Sequence, residues 1–385
     1  MTKPKIIRVT TVPTSLNTFC YGFLAELSSD YEVIALSSSG WELDEIANRE
    51  RVHCIAVDME RRISPFKDLV SLARLVKVFL KEKPAMVHSM TPKAGLLTMI
   101  AAWIARVPLR VHTFTGLVFP TATGLNRRVL ILTDTITCAC ATHIIPEGEG
   151  VKNDLISHNI TRKPLKVLGY GNVRGVDMQY YSRTADVIKE AAEIRCRLGI
   201  APGDTVFVFV GRLVGDKGIK ELAEAFVRLY DEHKNIHLLL VGREEEHLDS
   251  LDVVTKRIVD DCEGIHKVGE QSDVRPWYAA ADALVFPSYR EGFPNVVLEA
   301  GAMELASIVT DINGSREIIE EGSNGTIVPV RNSDSLYCAM RRFITEPHIM
   351  RQMSANARNI ISQRYEMSFV RRCLKDFYKS LFKNN

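Results

Sequence analysis

Strand-like and helix-like segments alternate along almost the whole chain. In the first half, runs of apolar and β-branched residues predict strands, and the segments between them have the apolar spacing of helices. The predicted strands are residues 5–12, 31–37, 52–57, 86–89 and 109–114, and the predicted helices are 16–28, 66–83 and 92–106. Such alternation is typical of a parallel sheet with helices on both faces.

The same pattern starts again after residue 175. Strands are predicted at 205–210, 236–241, 264–268, 283–286 and 307–310, helices at 219–230 and 332–382, the latter with a break at Pro347. We therefore predict an α/β protein of two doubly wound, Rossmann-like domains, residues 1–175 and 176–365, which face a central cleft. A C-terminal helix, residues 366–385, is expected to pack back on the first domain. In such sheets ligands bind outside the carboxyl ends of the strands.

Composition excludes several classes of protein. The 385 residues are 46% hydrophobic and 25% charged, as in ordinary globular proteins. The longest apolar stretch, residues 94–105, is shorter than the roughly 18–20 residues that a membrane helix needs. The N-terminus lacks a signal-peptide core, and the eight cysteines include no C-x-x-C pair, so that neither a zinc site nor a disulfide framework is indicated. We expect a cytoplasmic location.

Charge is unevenly distributed between the two halves. The net charge is +2, but residues 1–175 hold 22 Lys and Arg against 15 Asp and Glu, whereas the remainder holds 27 against 32. A basic first half suggests an anionic partner or surface. Ordinary solvated surface charge is the alternative.

The richest candidate loop is FPSYREGFPNVVLEA, residues 286–300. A helix start is predicted near Pro294, and the backbone N–H groups before it would form an anion site. Carboxylates accept hydrogen bonds from vicinal hydroxyls, so Glu299 suits a ribose diol and Glu291 a sugar. The alternative is that Glu291 is a solvated loop residue and Glu299 a partner of the helix dipole. The candidate donor-binding residues between the two glutamates are Gly292, Phe293, Pro294 and Asn295.

A second loop, VGRLVGDKG at 210–218, follows a predicted buried strand. Its cations, Arg212 and Lys217, suit a diphosphate. A flexible connector with surface charges is the alternative. The loop matches neither a P-loop nor G-x-G-x-x-G, which argues against an ATPase or a dinucleotide oxidoreductase.

Together these segments resemble the family 4 retaining glycosyltransferases, which have the GT-B fold. The resemblance covers the C-terminal half, through GRLVGDKG at 211–218, REGFPNVVLE at 290–299, TDINGSREIIEEGSNGTIVP at 310–329 and the linker GNVRGVD. The N-terminal half is similar to the subgroup that elongates polyprenyl-diphosphate-linked saccharides in surface polysaccharide assembly. It carries VPTSLNTF at 12–19, VHSMTPKAGLL at 87–97 and HTFTGLVFP at 112–120.

The resemblance implies a role for each motif residue. Arg212 and Lys217 would hold the donor diphosphate, Glu291 the donor sugar and Glu299 the ribose, while residues 292–295 donate backbone hydrogen bonds. The acceptor side would include Ser15, His88, His112 and Thr115. This sequence departs from the family in having Thr115 where many relatives have histidine, and Thr14-Ser15-Leu16-Asn17 where many have a glycine pair. His112 is a candidate substitute, and an ordinary strand histidine is its alternative.

The expected activity is transfer of a hexose or N-acetylhexosamine from a nucleotide diphosphate sugar, UDP in particular, to a saccharide on a polyprenyl diphosphate. The chain contains no Asp-x-Asp motif. Since Arg212, Lys217 and the helix N-terminus supply positive charge, we expect no metal and no cofactor. No pair of carboxylates suited to double displacement is evident, which favours same-face displacement.

The expected partners are the nucleotide sugar, the lipid-linked acceptor and an anionic membrane surface. Peripheral association with the inner face of the cytoplasmic membrane would use the helix at 66–83 and the cations Arg61, Arg62, Lys93, Arg106, Arg110, Arg127 and Arg128. Nucleic acid is not expected as a partner, because aromatic residues are not interleaved with the basic ones. Two rival functions remain, a UDP-sugar 2-epimerase of the same fold and a non-catalytic nucleotide-sugar-binding partner.

Overall fold

The computed structural model describes residues 3–60, 64–245 and 249–383. The chain divides into two compact units, of which the first contains residues 3–174 and 368–383 and the second contains residues 175–367. Each unit is built on a six-stranded sheet in which all strands are parallel, with helices on both faces. The predicted fold class, two doubly wound α/β domains, is confirmed.

The first unit starts at the N-terminal strand and is completed by the last helix of the chain. Its strands are β1 (Lys5–Val9), β2 (Glu32–Ser37), β3 (His53–Ala56), β4 (Met86–Met90), β5 (Leu109–Phe114) and β6 (His143–Pro146). Its helices are α1 (Pro13–Cys20), α2 (Phe23–Leu27), α3 (Trp41–Glu50), α4 (Pro65–Glu82), α5 (Pro92–Ile104), α6 (Gly124–Cys140) and α7 (Glu149–Ser157). The strand order is β3-β2-β1-β4-β5-β6, so β1 and β4 lie at the centre.

The second unit repeats this plan. Its strands are β7 (Thr205–Val210), β8 (Ile236–Val241), β9 (Ile265–Gly269), β10 (Ala283–Phe286), β11 (Ala306–Thr310) and β12 (Gly325–Val328), in the order β12-β11-β10-β7-β8-β9. The helices from here to the end of the chain are α8 (Ala185–Arg197), α9 (Ile219–Glu232), α10 (Val253–Asp261), α11 (Arg275–Ala280), α12 (Asn295–Ala302), α13 (Ser315–Ile318), α14 (Ser333–Thr345), α15 (Pro347–Tyr365) and α16 (Met367–Lys383).

Helix α16 belongs to the first unit. It buries Leu374, Tyr378 and Leu381 in the same apolar cluster as Ile6 and Leu16. Its apolar residues recur at helical spacing, which lets one stripe of the helix cover one face of the first sheet. Within the described residues, no helix is both long enough and apolar enough to span a lipid bilayer.

Four local predictions needed correction. The predicted helix 16–28 is two helices, because Gly22 between them has a left-handed backbone with φ of +68°. The strand predicted at 5–12 ends at Val9, and α1 begins four residues later at Pro13. The edge strands β6 and β12 were not predicted, since each short run contains a residue that strands disfavour, Pro146 in β6 and Gly325 in β12. The final helical stretch breaks at Pro347 as predicted and also at Glu366, whose backbone is extended.

Helix α5 lies so close to β5 that Gly95 has no room for a side chain. A Cβ at this position would lie 2.3 Å from Cε1 of His112. We expect Gly95→Ala to destabilise the first unit by about 1–3 kcal/mol, as overpacking does, although alanine is the better helix former. Denaturant unfolding measures the change.

Gly203→Ala is the matched control, because no atom lies within 4 Å of a Cβ there. This variant should unfold at nearly the same denaturant concentration as the parent. An unchanged stability for Gly95→Ala would show that the His112 ring moves aside freely.

Candidate functional site

The loops after β7 and β10 lie at the same edge of the second sheet. The two strands are parallel neighbours, so their carboxyl ends open to one side. The first loop, residues 211–218, carries Arg212 and Lys217, and the second, residues 287–294, carries Glu291. The topology therefore brings both predicted motifs to one edge.

Lys217 and Glu291 form the centre of this site. The Lys217 ammonium donates a hydrogen bond to Oε1 of Glu291, and the Ser288 hydroxyl donates to the same oxygen over 2.9 Å. The Lys217 and Glu291 side chains retain 13% and 19% of their exposure. Lys217 Nζ also lies 5.5 Å from the centre of the Phe286 ring. Two predicted site residues thus form an ion pair that is largely shielded from water.

Asp216 joins the same two loops. Its carbonyl oxygen accepts a hydrogen bond from the Tyr289 amide over 2.9 Å, and its carboxylate lies 3.1 Å from Nη2 of Arg290. The next loop glycine, Gly218, has φ of +70°, and a Cβ there would lie 2.1 Å from the carbonyl oxygen of Pro287. Only glycine permits this close approach. These contacts fix the two loops that carry Lys217 and Glu291 relative to each other.

Arg212 points to a different partner. Its Nη1 lies 2.7 Å from Oε2 of Glu245, and the side chain keeps 44% of its exposure. Arg243 pairs with the other oxygen of Glu245 over 3.0 Å. The hydrogen bond from Arg212 lowers the pKa of the Glu245 carboxyl below its ordinary value. Arg212 thus lies on the predicted loop, in an exposed ion pair with Glu245.

Helix α12 begins directly after the second loop. Pro294 precedes its first residue, Asn295. Phe293 is buried and packs 5.4 Å from the ring of Tyr365. Gly314 lies so close to this segment that a Cβ would be 2.6 Å from the carbonyl oxygen of Gly292. Packing from both sides therefore fixes residues 292–295 at the positive end of a helix dipole, where an anion is favoured.

Glu299 lies one turn into α12 and is buried. The Tyr278 hydroxyl donates a hydrogen bond to its Oε2 over 3.4 Å. A buried carboxylate costs free energy unless it is hydrogen-bonded. Glu299 is therefore a buried, hydrogen-bonded residue of α12.

The two predicted acceptor-side histidines are core residues of the first sheet. His88 contacts Tyr378 through Nδ1 and Thr113 through Nε2, both at hydrogen-bond distance. His112 contacts the Ser89 hydroxyl over 2.8 Å. Burial lowers the pKa of His88 well below its ordinary value and that of His112 to about 3. Both rings are therefore neutral at physiological pH.

The other predicted acceptor residues are more accessible. Ser15 is half-buried in α1, and Thr115 is half-buried immediately after β5. Sequence reasoning did not single out Ser288, Asp216 or Arg290, although all three lie inside the two quoted motifs. The position of Ser288, three residues before Glu291, was the sequence signal that could have indicated a hydrogen bond between the two side chains.

Two family models match this chain. The model described as glycosyl transferase 4-like domain matches residues 20–171, within the first unit. The model described as glycosyl transferases group 1 matches residues 190–360, within the second unit, and includes the site built around Lys217 and Glu291.

Relatives with assigned activities match nearly the full length. The chain is 30% identical over 364 residues to the capsular polysaccharide biosynthesis glycosyltransferase CapM of Staphylococcus aureus, covering 94% of this chain and 93% of CapM. It is 29% identical over 329 residues to an Escherichia coli UDP-Gal:alpha-D-GlcNAc-diphosphoundecaprenol alpha-1,3-galactosyltransferase, covering 84% and 82% of the two chains.

A solved structure shares the fold. HepE of Anabaena in complex with UDP superimposes with a TM-score of 0.80 at 18% identity, covering 98% of this chain and all of HepE. Taken with the family models and the full-length likeness to CapM, this places the chain among the GT-B glycosyltransferases with a 4-like N-terminal and a group 1 C-terminal domain.

Proposed function

We propose that this glycosyltransferase moves a hexose or N-acetylhexosamine from a nucleotide diphosphate sugar to a saccharide carried on a polyprenyl diphosphate, with retention of configuration and without a metal ion. The observation that carries the donor side is the cluster of Lys217, Glu291 and Ser288 beside the start of α12. It combines a shielded cation, a carboxylate and a helix N-terminus within one unit. These groups suit a sugar linked to a diphosphate.

The relatives support the choice of substrates. The E. coli relative is named for UDP-Gal and a diphosphoundecaprenol acceptor, and a Campylobacter jejuni relative for a diphospho-undecaprenol acceptor. Both are named for forming α-1,3 linkages. Because UDP-galactose is an α anomer, an α product corresponds to retained configuration. UDP in the HepE complex supports a uridine nucleotide.

The proposed mechanism is a same-face displacement. The bond between C1 of the sugar and the diphosphate oxygen breaks, and the acceptor hydroxyl oxygen bonds to C1 from the same side. The departing phosphate oxygen takes the hydroxyl proton. Lys217 and the backbone amides at the start of α12 stabilise the negative charge that develops on the diphosphate, so no divalent ion is required. Glu291 contacts the sugar hydroxyls and holds the Lys217 side chain in place.

Removing the charge of Lys217 tests the donor site. We expect Lys217→Met to lower kcat for nucleotide release by about 10²–10³, as the loss of a group that stabilises developing charge does. Glu291→Gln keeps the size of the side chain but weakens the ion pair, and should lower kcat/KM. The parent enzyme should keep its activity in EDTA. Nucleotide release measured with and without lipid extract gives each rate.

Lys234→Met is the control for these variants, because the contacts that the structure describes for this exposed lysine are with Asp231 and the Tyr230 ring. It should match the parent. Full activity of Lys217→Met would refute the donor site, and an inverted anomeric signal in the NMR spectrum of the first product would refute retention. Turnover of UDP-sugar without any acceptor would favour the epimerase.

The first unit offers a surface for the membrane that carries the acceptor. Helix α4 buries Ser71, Leu75 and Phe79 and leaves large apolar side chains exposed at its N-terminal end. Phe66 keeps 87% of its exposure, and Leu69 is also exposed. Cationic side chains lie on the same helix at Lys67, Arg74, Lys77 and Lys81. Apolar residues flanked by cations favour an anionic lipid surface.

Some of the cations predicted for this role are engaged elsewhere. Lys93 is largely buried in an ion pair with Asp68, 2.6 Å apart. The Arg110 guanidinium donates to the carbonyl oxygens of Cys140 and Val107. Arg106 and Arg128 are exposed and Arg127 is half-buried, whereas Arg61 and Arg62 lie outside the described residues. The proposed membrane surface therefore centres on α4.

We expect Phe66→Ser with Leu69→Ser to reduce binding to vesicles that contain anionic lipid, while leaving turnover of a short-chain, water-soluble acceptor unchanged. Sedimentation with anionic and neutral vesicles measures the binding, which should weaken in high salt as charges are screened. Val253→Ser with Val254→Ser is the matched control, since both valines are exposed on α10 of the second unit. An equal loss of vesicle binding in the two double variants would contradict a membrane-binding surface on α4.

A further inference from the structure

The first unit buries a cation that no acidic side chain neutralises. Arg8 lies in β1 and keeps only 2% of its exposure. Its Nη1 lies 2.8 Å from Nδ1 of His88 and 2.5 Å from the Tyr378 hydroxyl, and its Nη2 lies 2.9 Å from Sδ of Met90 and 3.4 Å from Sγ of Cys20. Among the described residues, none pairs a carboxylate with this guanidinium.

All four partners are uncharged or weak acceptors. Burial lowers the pKa of His88 well below its ordinary value and raises the pKa of Tyr378 to about 12, so the imidazole and the phenol are both neutral. The sulfur atoms of Met90 and Cys20 accept hydrogen bonds only weakly. The remaining donor of Arg8, Nε, is buried without a hydrogen-bond partner in the described part of the chain. Buried charges in proteins are normally paired, because an isolated one costs several kcal/mol.

A small cavity adjoins this cation. Its volume is about 20 Å³, and its polar lining comes from Arg8, His88, Thr113 and Asn172. The apolar lining residues are Met90, Ile145, Pro146, Leu168, Val173, Val370 and Leu374. This space matches one water molecule or one monatomic ion and is too small for a phosphate.

The hydrogen-bond pattern gives the cavity a donor character. An arginine can only donate, so Nδ1 of His88 must accept, and the ring proton lies on Nε2. Nε2 then donates to the Thr113 hydroxyl over 2.7 Å, which leaves the hydroxyl hydrogen of Thr113 available as a donor. The cavity wall thus presents a guanidinium and a hydroxyl donor.

We propose that this cavity binds a single halide ion, chloride under ordinary conditions, which neutralises Arg8. The site joins three strands through Arg8, His88 and Thr113 to α16 through Tyr378. Bound chloride therefore stabilises the docking of the last helix on the first sheet. The inference concerns stability and does not depend on the proposed glycosyl transfer.

The test is thermal unfolding in chloride and in gluconate at equal ionic strength. The parent should unfold about 2–4 °C higher in chloride, a shift typical of a modest ligand effect on a chain of this size. Arg8→Met should lose the difference. Arg110→Met is the matched control, because Arg110 is an arginine of the same sheet with carbonyl partners, and it should keep the difference.

A second variant covers the case in which Arg8→Met does not fold. Val370→Ile adds a methyl group that fills the cavity and leaves Arg8 intact, and it should also remove the chloride effect. Bromide in a crystal of the parent should give an anomalous peak in the cavity. Equal unfolding temperatures of the parent in the two salts would overturn the proposal in favour of a buried water. A chloride effect that survives in Val370→Ile would overturn it by placing the ion at another site.

Discussion

The ion pair between Lys217 and Glu291 is the contact on which the candidate donor site depends. It links two loops that are more than seventy residues apart in the sequence and that meet only because β7 and β10 are parallel neighbours. The Tyr289 amide and the Ser288 hydroxyl of the second loop both donate to the carbonyl oxygen of Asp216 in the first loop, which holds the two loops together. A different order of these strands would separate the cation from the carboxylate. The ion pair therefore requires that β7 and β10 be neighbours in the sheet.

The hydrogen bonding and the charge of Lys217 suit a residue that binds a negatively charged ligand. An ammonium group has three donors, and in the described structure Glu291 takes one of them. The carboxylate gives the lysine a charged partner at a largely shielded position. A diphosphate beside the start of α12 can engage the remaining donors without breaking that pair. In the proposed function the same carboxylate would contact the donor sugar, so one residue would serve both the lysine and the substrate.

The sequence predicted the architecture because its signals are local. The run TVFVFV in β7 and the glycine loop after it identify a buried strand followed by a turn, whatever the rest of the chain does. The short edge strand β12 includes Gly325, a residue that strands disfavour, and gives a weaker signal. The motif spacing likewise predicted that Lys217 and Glu291 belong to one site, whereas the partner of Arg212, Glu245, follows a different strand and has no local signature.

The sequence did not predict which charged and polar side chains are buried. The two units differ in this respect, because each surrounds its central cation with different partners. His88 was predicted on the acceptor side from its motif, but His88 and Arg8 are both buried in the first unit. The hydroxyl that they share comes from Tyr378 in α16, 290 residues after His88. In the second unit the cation is largely shielded but is matched by a carboxylate, and its remaining donors suit an anionic ligand. In the first unit the cation is buried among neutral groups, so a role in holding α16 against the first sheet fits it better than a role in binding substrate.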